Sequence, residues 1–197
     1  ARFLDRVIPL TITLPFSKTA IDLSREHRAN FIDEEILRKL TQLRIPVSDP
    51  ADDATFLRRT TLALTGTLPS RSQVEKYLED RAETKSTRLI DQLLASEAFN
   101  DYWTFRFASL LRIRALPNDR ESPRVFHHWL REQLAASTPL DKVARELLTA
   151  TGDSHEVGPA NFARMAADPR AHAELVSAAF LGARLQCANC HNHPLDK

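Results

Sequence analysis

Apolar residues recur at every third or fourth position through most of this chain, and this period constrains the fold more than any other feature of the sequence. From about residue 26 onward the period is the 3.6 residues of amphipathic α-helices, in stripes such as Ile32/Ile36/Leu40/Leu43, Leu89/Ile90/Leu93/Leu94 and Phe99/Trp103/Phe107/Leu110/Leu111. The pattern predicts an all-α protein in which residues 26–197 form a single domain of about eight helices.

The residues between the stripes are typical of helix ends. Ser70 or Ser72 precedes a glutamine or glutamate by three positions, which is the arrangement of a capping box. Three further starts place a capping residue before a proline: Ser122-Pro123, Thr138-Pro139 and Asp168-Pro169. Proline is favoured at the first helical position because its missing N–H has no partner there in any case. We therefore expect helices to begin at these positions.

The first 25 residues have a different character from the remainder. The stretch from Val7 to Pro15 alternates apolar residues with threonine and contains two prolines, so residues 1–25 are predicted to be an extended linker or strand segment. The chain has no starting methionine and no signal-peptide layout. We therefore expect a mature or excised piece of a longer protein.

Charge and hydropathy argue against two classes of partner. The 27 basic and 26 acidic residues are interspersed, without the basic stripe that binds phosphates, so nucleic acid is not an expected partner. No apolar run approaches the roughly 20 residues needed to span a bilayer. No membrane span is therefore expected within this chain.

One short motif carries recognisable chemistry, Cys187-Ala188-Asn189-Cys190-His191. Two thiols three residues apart can form thioether bonds with the two vinyl groups of one haem, and the histidine that follows becomes the proximal iron ligand. The spacing predicts a single covalently attached haem c, with Cys187 and Cys190 as anchors and His191 as the ligand.

Two other uses of these residues stay open from the sequence. Cys187 and Cys190 are the only cysteines, so they can form a redox-active disulfide, although the βαβ context of thioredoxin-like motifs is missing. Cys187, Cys190, His191 and His193 can also be combined into a zinc site, but four ligands within seven residues close a tetrahedron poorly.

Several segments, taken in order, resemble the cytochrome-associated helical domain of large exported proteins of planctomycete bacteria. The resemblance covers about residues 28 to 197. It rests on Phe31-Ile32-Asp33, Phe56-Leu57-Arg58-Arg59, Leu64-Thr65-Gly66-Thr67-Leu68-Pro69-Ser70, Thr149-Ala150-Thr151-Gly152-Asp153 and, most specifically, Phe180 to Pro194 with its Cys-x-x-Cys-His-x-His-Pro ending.

The resemblance implies export, covalent haem and a place beside other domains of the same parent protein. It also marks two departures. Ala63 stands where relatives have an acidic residue, so no role of that carboxylate transfers to this chain. This chain stops six residues after His191, whereas relatives continue, so we expect part of the wall of a haem pocket to be missing from it.

The second axial ligand is less well defined by the sequence. His193 is too close to His191 to reach the opposite face of the haem. Met165, His127 and His155 are the candidates for the distal position, with water or an external group as the alternative. Arg58, Arg59 and Arg184 are candidate partners of the haem propionates, because guanidinium groups bind carboxylates through two hydrogen bonds.

The sequence therefore favours an extracytoplasmic, mono-haem c-type domain for electron transfer or redox sensing, with an unidentified redox partner protein. A haem enzyme that binds a small molecule such as peroxide at an open distal site is the second hypothesis, so whether the protein is an enzyme stays undecided. A structural metal-binding or scaffolding module is the third.

Overall fold

The computed structural model describes the backbone of residues 2–3 and 6–7 and the whole of residues 12–186. The predicted all-α class is confirmed. Arg2–Phe3 (β1) and Arg6–Val7 (β2) form a two-residue antiparallel pair. Within the described residues, the α-helices are α1 Phe31–Leu43, α2 Asp53–Thr65, α3 Arg71–Glu79, α4 Lys85–Leu94, α5 Glu97–Leu110, α6 Glu121–Ala135, α7 Leu140–Thr149 and α8 Pro169–Phe180, with 3-10 helices at Gly158–Asn161 and Ala163–Met165 between α7 and α8.

The chain divides into two compact units, with the boundary between Ala51 and Asp52. The first unit contains α1 and the segment before it, and the second contains α2 to α8. The sequence predicted a boundary at residue 25, between an extended segment and the helical domain. The division into compact units lies farther along the chain, and the boundary at residue 25 stays a prediction.

The first unit is organised around the two ends of α1. Asn30 accepts a hydrogen bond from the backbone N–H of Ile32, and Asp33 accepts bonds in return, which completes a capping box. At the other end the guanidinium group of Arg44 donates to the carbonyl oxygens of Ser17 and Lys18, at 3.2 and 2.5 Å. These bonds hold the preceding segment beside the end of the helix.

The covered face of α1 coincides only in part with the stripe seen in the sequence, of which Leu40 and Leu43 are half-buried. The side chains of Ile32 and Ile36 in the predicted stripe are 53% and 52% exposed, whereas Leu37 is buried. The 3.6-residue period identified the helix correctly but not which face is covered, because Phe31, Ile32, Ile36 and Leu37 together surround much of its circumference.

The core of the second unit joins its later helices. Three of its side chains are almost completely buried from solvent: Phe126 and Leu130 of α6, and Phe162 of the connecting segment, which is the stretch between α7 and α8. Leu111, Val143, Leu147 and Leu175 complete the same cluster. Gly158 approaches α6 so closely that a Cβ atom there would lie 2.5 Å from the Cβ of Trp129. The connecting segment is therefore part of the core.

The predicted helix starts were confirmed at two positions and wrong at two. Ser70 caps α3 with Gln73, and Asp168 caps α8 before Pro169. Helix α6 instead begins at Glu121, because the Asp119 carboxylate, and not Ser122, accepts the bond from a backbone N–H of its first turn. Helix α7 begins at Leu140, so Thr138 lies outside its cap.

None of the helices in the part of the chain that the structure describes is long and apolar enough to cross a membrane.

Helix α2 ends at a glycine that lies against an aromatic ring. Gly66 has a φ of 68°, and a Cβ atom there would lie 2.3 Å from Cδ2 of Tyr102 on α5. The neighbouring Trp103 donates from Nε1 to the carbonyl oxygen of Leu64 at 3.1 Å. The end of α2 is thus fixed by both its backbone conformation and its contact with α5.

We expect Gly66→Ala to lower the free energy of unfolding by about 2–4 kcal/mol, since it adds left-handed strain of ~1–2 kcal/mol to an overpacking cost of similar size. Gly182→Ala is the matched control, because Gly182 has a φ of 64° but no described atom within 4 Å of the added methyl group. It should cost only about 1–2 kcal/mol. Urea unfolding measures both values, and equal losses would show that the contact with Tyr102 contributes nothing.

Candidate functional site

The predicted haem-binding residues themselves, Cys187, Cys190 and His191, lie outside the described residues, as does His193. The structure describes the chain up to Gln186, the residue directly before the first thiol. The nearest described features are helix α8, which precedes the motif in sequence, and a cavity at the end of that helix.

Helix α8 precedes the motif in sequence and ends at Phe180, seven residues before Cys187. Leu175 is buried in the core, and the ring of Phe180 meets that of Phe162 edge to face at 6.0 Å. The N–H groups of Leu181 and Ala183 both bond to the carbonyl oxygen of Ser177. Gly182 adopts the left-handed conformation that commonly terminates helices.

Val176, Phe180 and Ala183 have the spacing of one helical face in the sequence, but Ala183 does not continue that face in the structure. The helix ends at Phe180, and the left-handed turn at Gly182 changes the direction of the chain before Ala183. The motif is thus preceded by a short exposed segment, residues 181–186, and not by a further turn of α8.

A cavity of about 400 Å³ lies between the end of α5 and the end of α8. Leu110, Ala178 and Ala179 contribute its apolar part, and Arg112 and Arg184 contribute two guanidinium groups. Neither arginine forms an ion pair among the described residues. The cavity therefore combines small apolar side chains with cations, which suits an apolar molecule that carries carboxylates.

Of the three arginines named as propionate partners, only Arg184 lines this cavity. Arg58 and Arg59 are exposed on α2 and do not contribute to it. Arg112 was missed by sequence reasoning. It lies past the end of α5 in a left-handed conformation, with a φ of 57°, and no local pattern signals that position.

The three candidate distal ligands occupy different surroundings, and none of them lines the cavity. Met165 packs against the core cluster at the end of the second 3-10 helix, and His127 is exposed on α6. The Nε2 atom of His155 lies 3.2 Å from Oδ1 of Asp119. Their role as iron ligands stays a prediction.

Asp119 is the centre of a polar network that the sequence did not reveal. Its carboxylate accepts hydrogen bonds from the hydroxyl and the backbone N–H of Ser122, at 2.6 and 3.1 Å. Nη2 of Arg164 lies 2.8 Å from its Oδ2. The bonds from Ser122, followed by the one from Arg164, hold the pKa of Asp119 well below its ordinary value.

Arg164 extends this network into the segment between α7 and α8. Its Nη1 donates to the hydroxyls of Ser122 and Ser154 and to the side-chain oxygen of Asn161. The side-chain NH₂ of Asn161 in turn donates to the carbonyl oxygens of Ser154 and Gly158. Although serine, histidine and aspartate meet here, Ser122 and His155 both bond to Asp119, whereas a hydrolase triad needs the histidine between the other two.

Two further observations bear on metal binding. The Nε2 atom of His172 is buried without a hydrogen-bond partner, and its ring meets that of Phe162 edge to face at 5.6 Å. Among residues 12–186, no group of three or more histidine, cysteine, aspartate or glutamate side chains is arranged to hold a metal ion. The described residues thus offer no separate multidentate centre of those ligands.

Comparison with known proteins gives one match. The sequence model of the family PSCyt2, described as a protein of unknown function (DUF1549), matches residues 31–197. Neither the curated proteins nor the solved structures contain a match to this chain.

We expect Asp119→Asn to lower the urea midpoint at pH 7, because a neutral amide cannot replace a carboxylate that accepts from a guanidinium group. Since the pKa of the folded state is depressed, the carboxylate stabilises the fold above the unfolded pKa of about 3.9 and loses this effect as the pH falls through the folded value. The difference between the variant and the wild type should therefore shrink progressively below about pH 4.

Glu156→Gln is the matched control, because Glu156 is an exposed carboxylate in the same connecting segment and its side chain has no partner among the described residues. It should leave the midpoint nearly unchanged at every pH. A deficit of Asp119→Asn that stays constant from pH 7 to pH 3 would contradict the role assigned to the charge.

Proposed function

The chain belongs to the PSCyt2 family of proteins of unknown function, and from that premise we propose that it is a mono-haem c-type domain for electron transfer or redox sensing. The single observation that carries the proposal is the spacing of Cys187, Cys190 and His191. In the proposal the two thiols form thioether bonds, and the imidazole of His191 binds the iron.

The cavity between the ends of α5 and α8 supports the proposal through its chemistry. Arg184 lies three residues before Cys187 in sequence, and with Arg112 it supplies cations suited to the two propionates of a haem. Leu110, whose side chain is 55% exposed, supplies apolar surface that a porphyrin would cover.

The chemistry that a bound haem supplies is the gain and loss of one electron at its iron. The work of the protein is to bind and orient the group. Arg112 and Arg184 would compensate the charge of the propionates, and the apolar side chains of the cavity would exclude water from the ring edge. We further propose that the protein works outside the cytoplasm, beside other domains of a larger exported protein, and exchanges electrons with a partner protein.

We expect protein matured in an oxidising compartment with a haem-attachment system to carry one covalent haem. Denaturing mass spectrometry should show the added mass of one haem, and the double variant Cys187→Ser/Cys190→Ser should lack it. The matched control is Ser109→Ala, which removes a hydroxyl from the wall of the cavity and should keep the haem. Mature protein that contains stoichiometric zinc and no haem would refute the proposal.

A second candidate function is the binding of a small ligand, such as peroxide, at an iron without a strong distal ligand. The contacts of two of the three distal candidates favour it, because His155 is bonded to Asp119 and Met165 is packed against the core. Either side chain would have to give up these contacts to bind iron.

For this second candidate we expect the ferric protein to show a high-spin component in its absorption spectrum and to bind cyanide without unfolding. An iron with two strong protein ligands would instead give a low-spin spectrum in both redox states and no response to cyanide. In that case the variants Met165→Leu, His127→Gln and His155→Gln, measured singly, would identify the ligand, because only one of them should convert the spectrum to high spin.

A further inference from the structure

A second cavity lies in the same unit, on a face formed by α2, α3 and α4. Its volume is about 510 Å³, within the range of roughly 300–1,000 Å³ that is usual for small-molecule sites. The haem proposal does not use it. We infer that this cavity is a binding site for a small organic carboxylate with an aromatic or branched apolar body.

The floor of the cavity is apolar. Leu57 of α2 and Leu93 of α4 are buried, and Leu89 is half-buried beside them. Tyr77 of α3 is also buried, and its hydroxyl is satisfied by Ser86 at 2.9 Å. With its polar end already paired, the tyrosine contributes mainly ring surface, and the floor can cover an apolar group.

The charges in the wall are partly compensated. Nζ of Lys85, whose side chain is only 14% exposed, lies 2.5 Å from Oδ2 of Asp53 and 4.9 Å from the centre of the Tyr77 ring. Arg88 forms an ion pair with Asp80. Each of these two acids thus balances one of the cations.

One cation of the wall, Lys76 of α3, is uncompensated. Its side chain has no hydrogen bond or ion pair among the described residues. Arg88 donates only from Nη2 to Asp80, which leaves most of its five N–H groups available. An incoming carboxylate would therefore meet an excess of one positive charge and free guanidinium donors, above an apolar floor.

This combination distinguishes the ligand class. A metal ion is disfavoured by the excess of cations, and an inorganic anion would leave the apolar floor uncovered. A neutral apolar molecule would use neither the exposed ammonium group of Lys76 nor the free N–H groups of Arg88. A monocarboxylate with an aromatic body satisfies the charge and the floor together.

The test uses 3-phenylpropionate as the probe and nuclear magnetic resonance of the isotope-labelled full chain as the readout. Two comparison compounds separate the contributions of charge and apolar surface. The amide 3-phenylpropanamide has the same aromatic group without the charge, and inorganic phosphate has charge without an apolar group. We expect saturable shifts of backbone signals at Lys76, Arg88 and Gln92 with the carboxylate and at least fivefold weaker binding of both comparison compounds.

Lys76→Gln should weaken the binding of 3-phenylpropionate about two- to fivefold, the range expected for a solvent-accessible ion pair. Lys142→Gln is the matched control, since Lys142 is exposed on α7, lies outside the cavity and has no side-chain partner among the described residues. It should not change the affinity. The site would be refuted by shifts that do not saturate, by equal binding of the amide, or by equal effects of the two lysine variants.

Discussion

The carboxylate of Asp119 is the contact on which the later part of the second unit depends. It accepts hydrogen bonds at the start of α6 and from Arg164, which is 45 positions farther along the chain, and so it fixes the connection between α7 and α8 to the beginning of α6. The connection also supplies Phe162 to the core, where its ring meets that of Phe180 on α8. Because the carboxylate is mostly covered and fully bonded, its charge is stabilised where an unpaired one would be costly. The network thus holds the segment that leads into α8.

Predictions from the sequence were correct for features that depend on neighbouring residues. The 3.6-residue period predicted an all-α fold of about eight helices, and the capping residues located the starts of α3 and α8. They were wrong for features that depend on residues far apart in the sequence. Helix α6 begins at Glu121 because Asp119 caps it, and the sequence around Ser122 does not indicate that Arg164 contacts this residue. The covered face of α1 was also predicted only in part, because a helix with apolar residues around much of its circumference does not specify which side will be buried.

The candidate site shows the same limit. The proposed covalent attachment depends on five consecutive residues, so their spacing can be recognised without any structure. A distal ligand is a matter of tertiary geometry, and three candidates chosen by residue type had no local signal to rank them. Arg112 illustrates the converse case. It is separated from Arg184 by 72 positions, yet both line one cavity because α5 and α8 end beside each other. The cavity formed by α2, α3 and α4 could likewise not be predicted from the sequence, since it combines side chains of three helices.

The left-handed turn at Gly182 has a consequence for the order of events in making the protein. Helix α8 is complete at Phe180, and the core side chain that it supplies, Leu175, is buried before the turn. Residues 181–186 are all exposed, so the hydrophobic cluster closes without them. The described core of the second unit is thus formed by side chains that come before the turn. On the proposed haem function, attachment at Cys187 and Cys190 would therefore follow the folding of this core, and an enzyme that carries it out would act on the peptide that comes after the glycine in sequence.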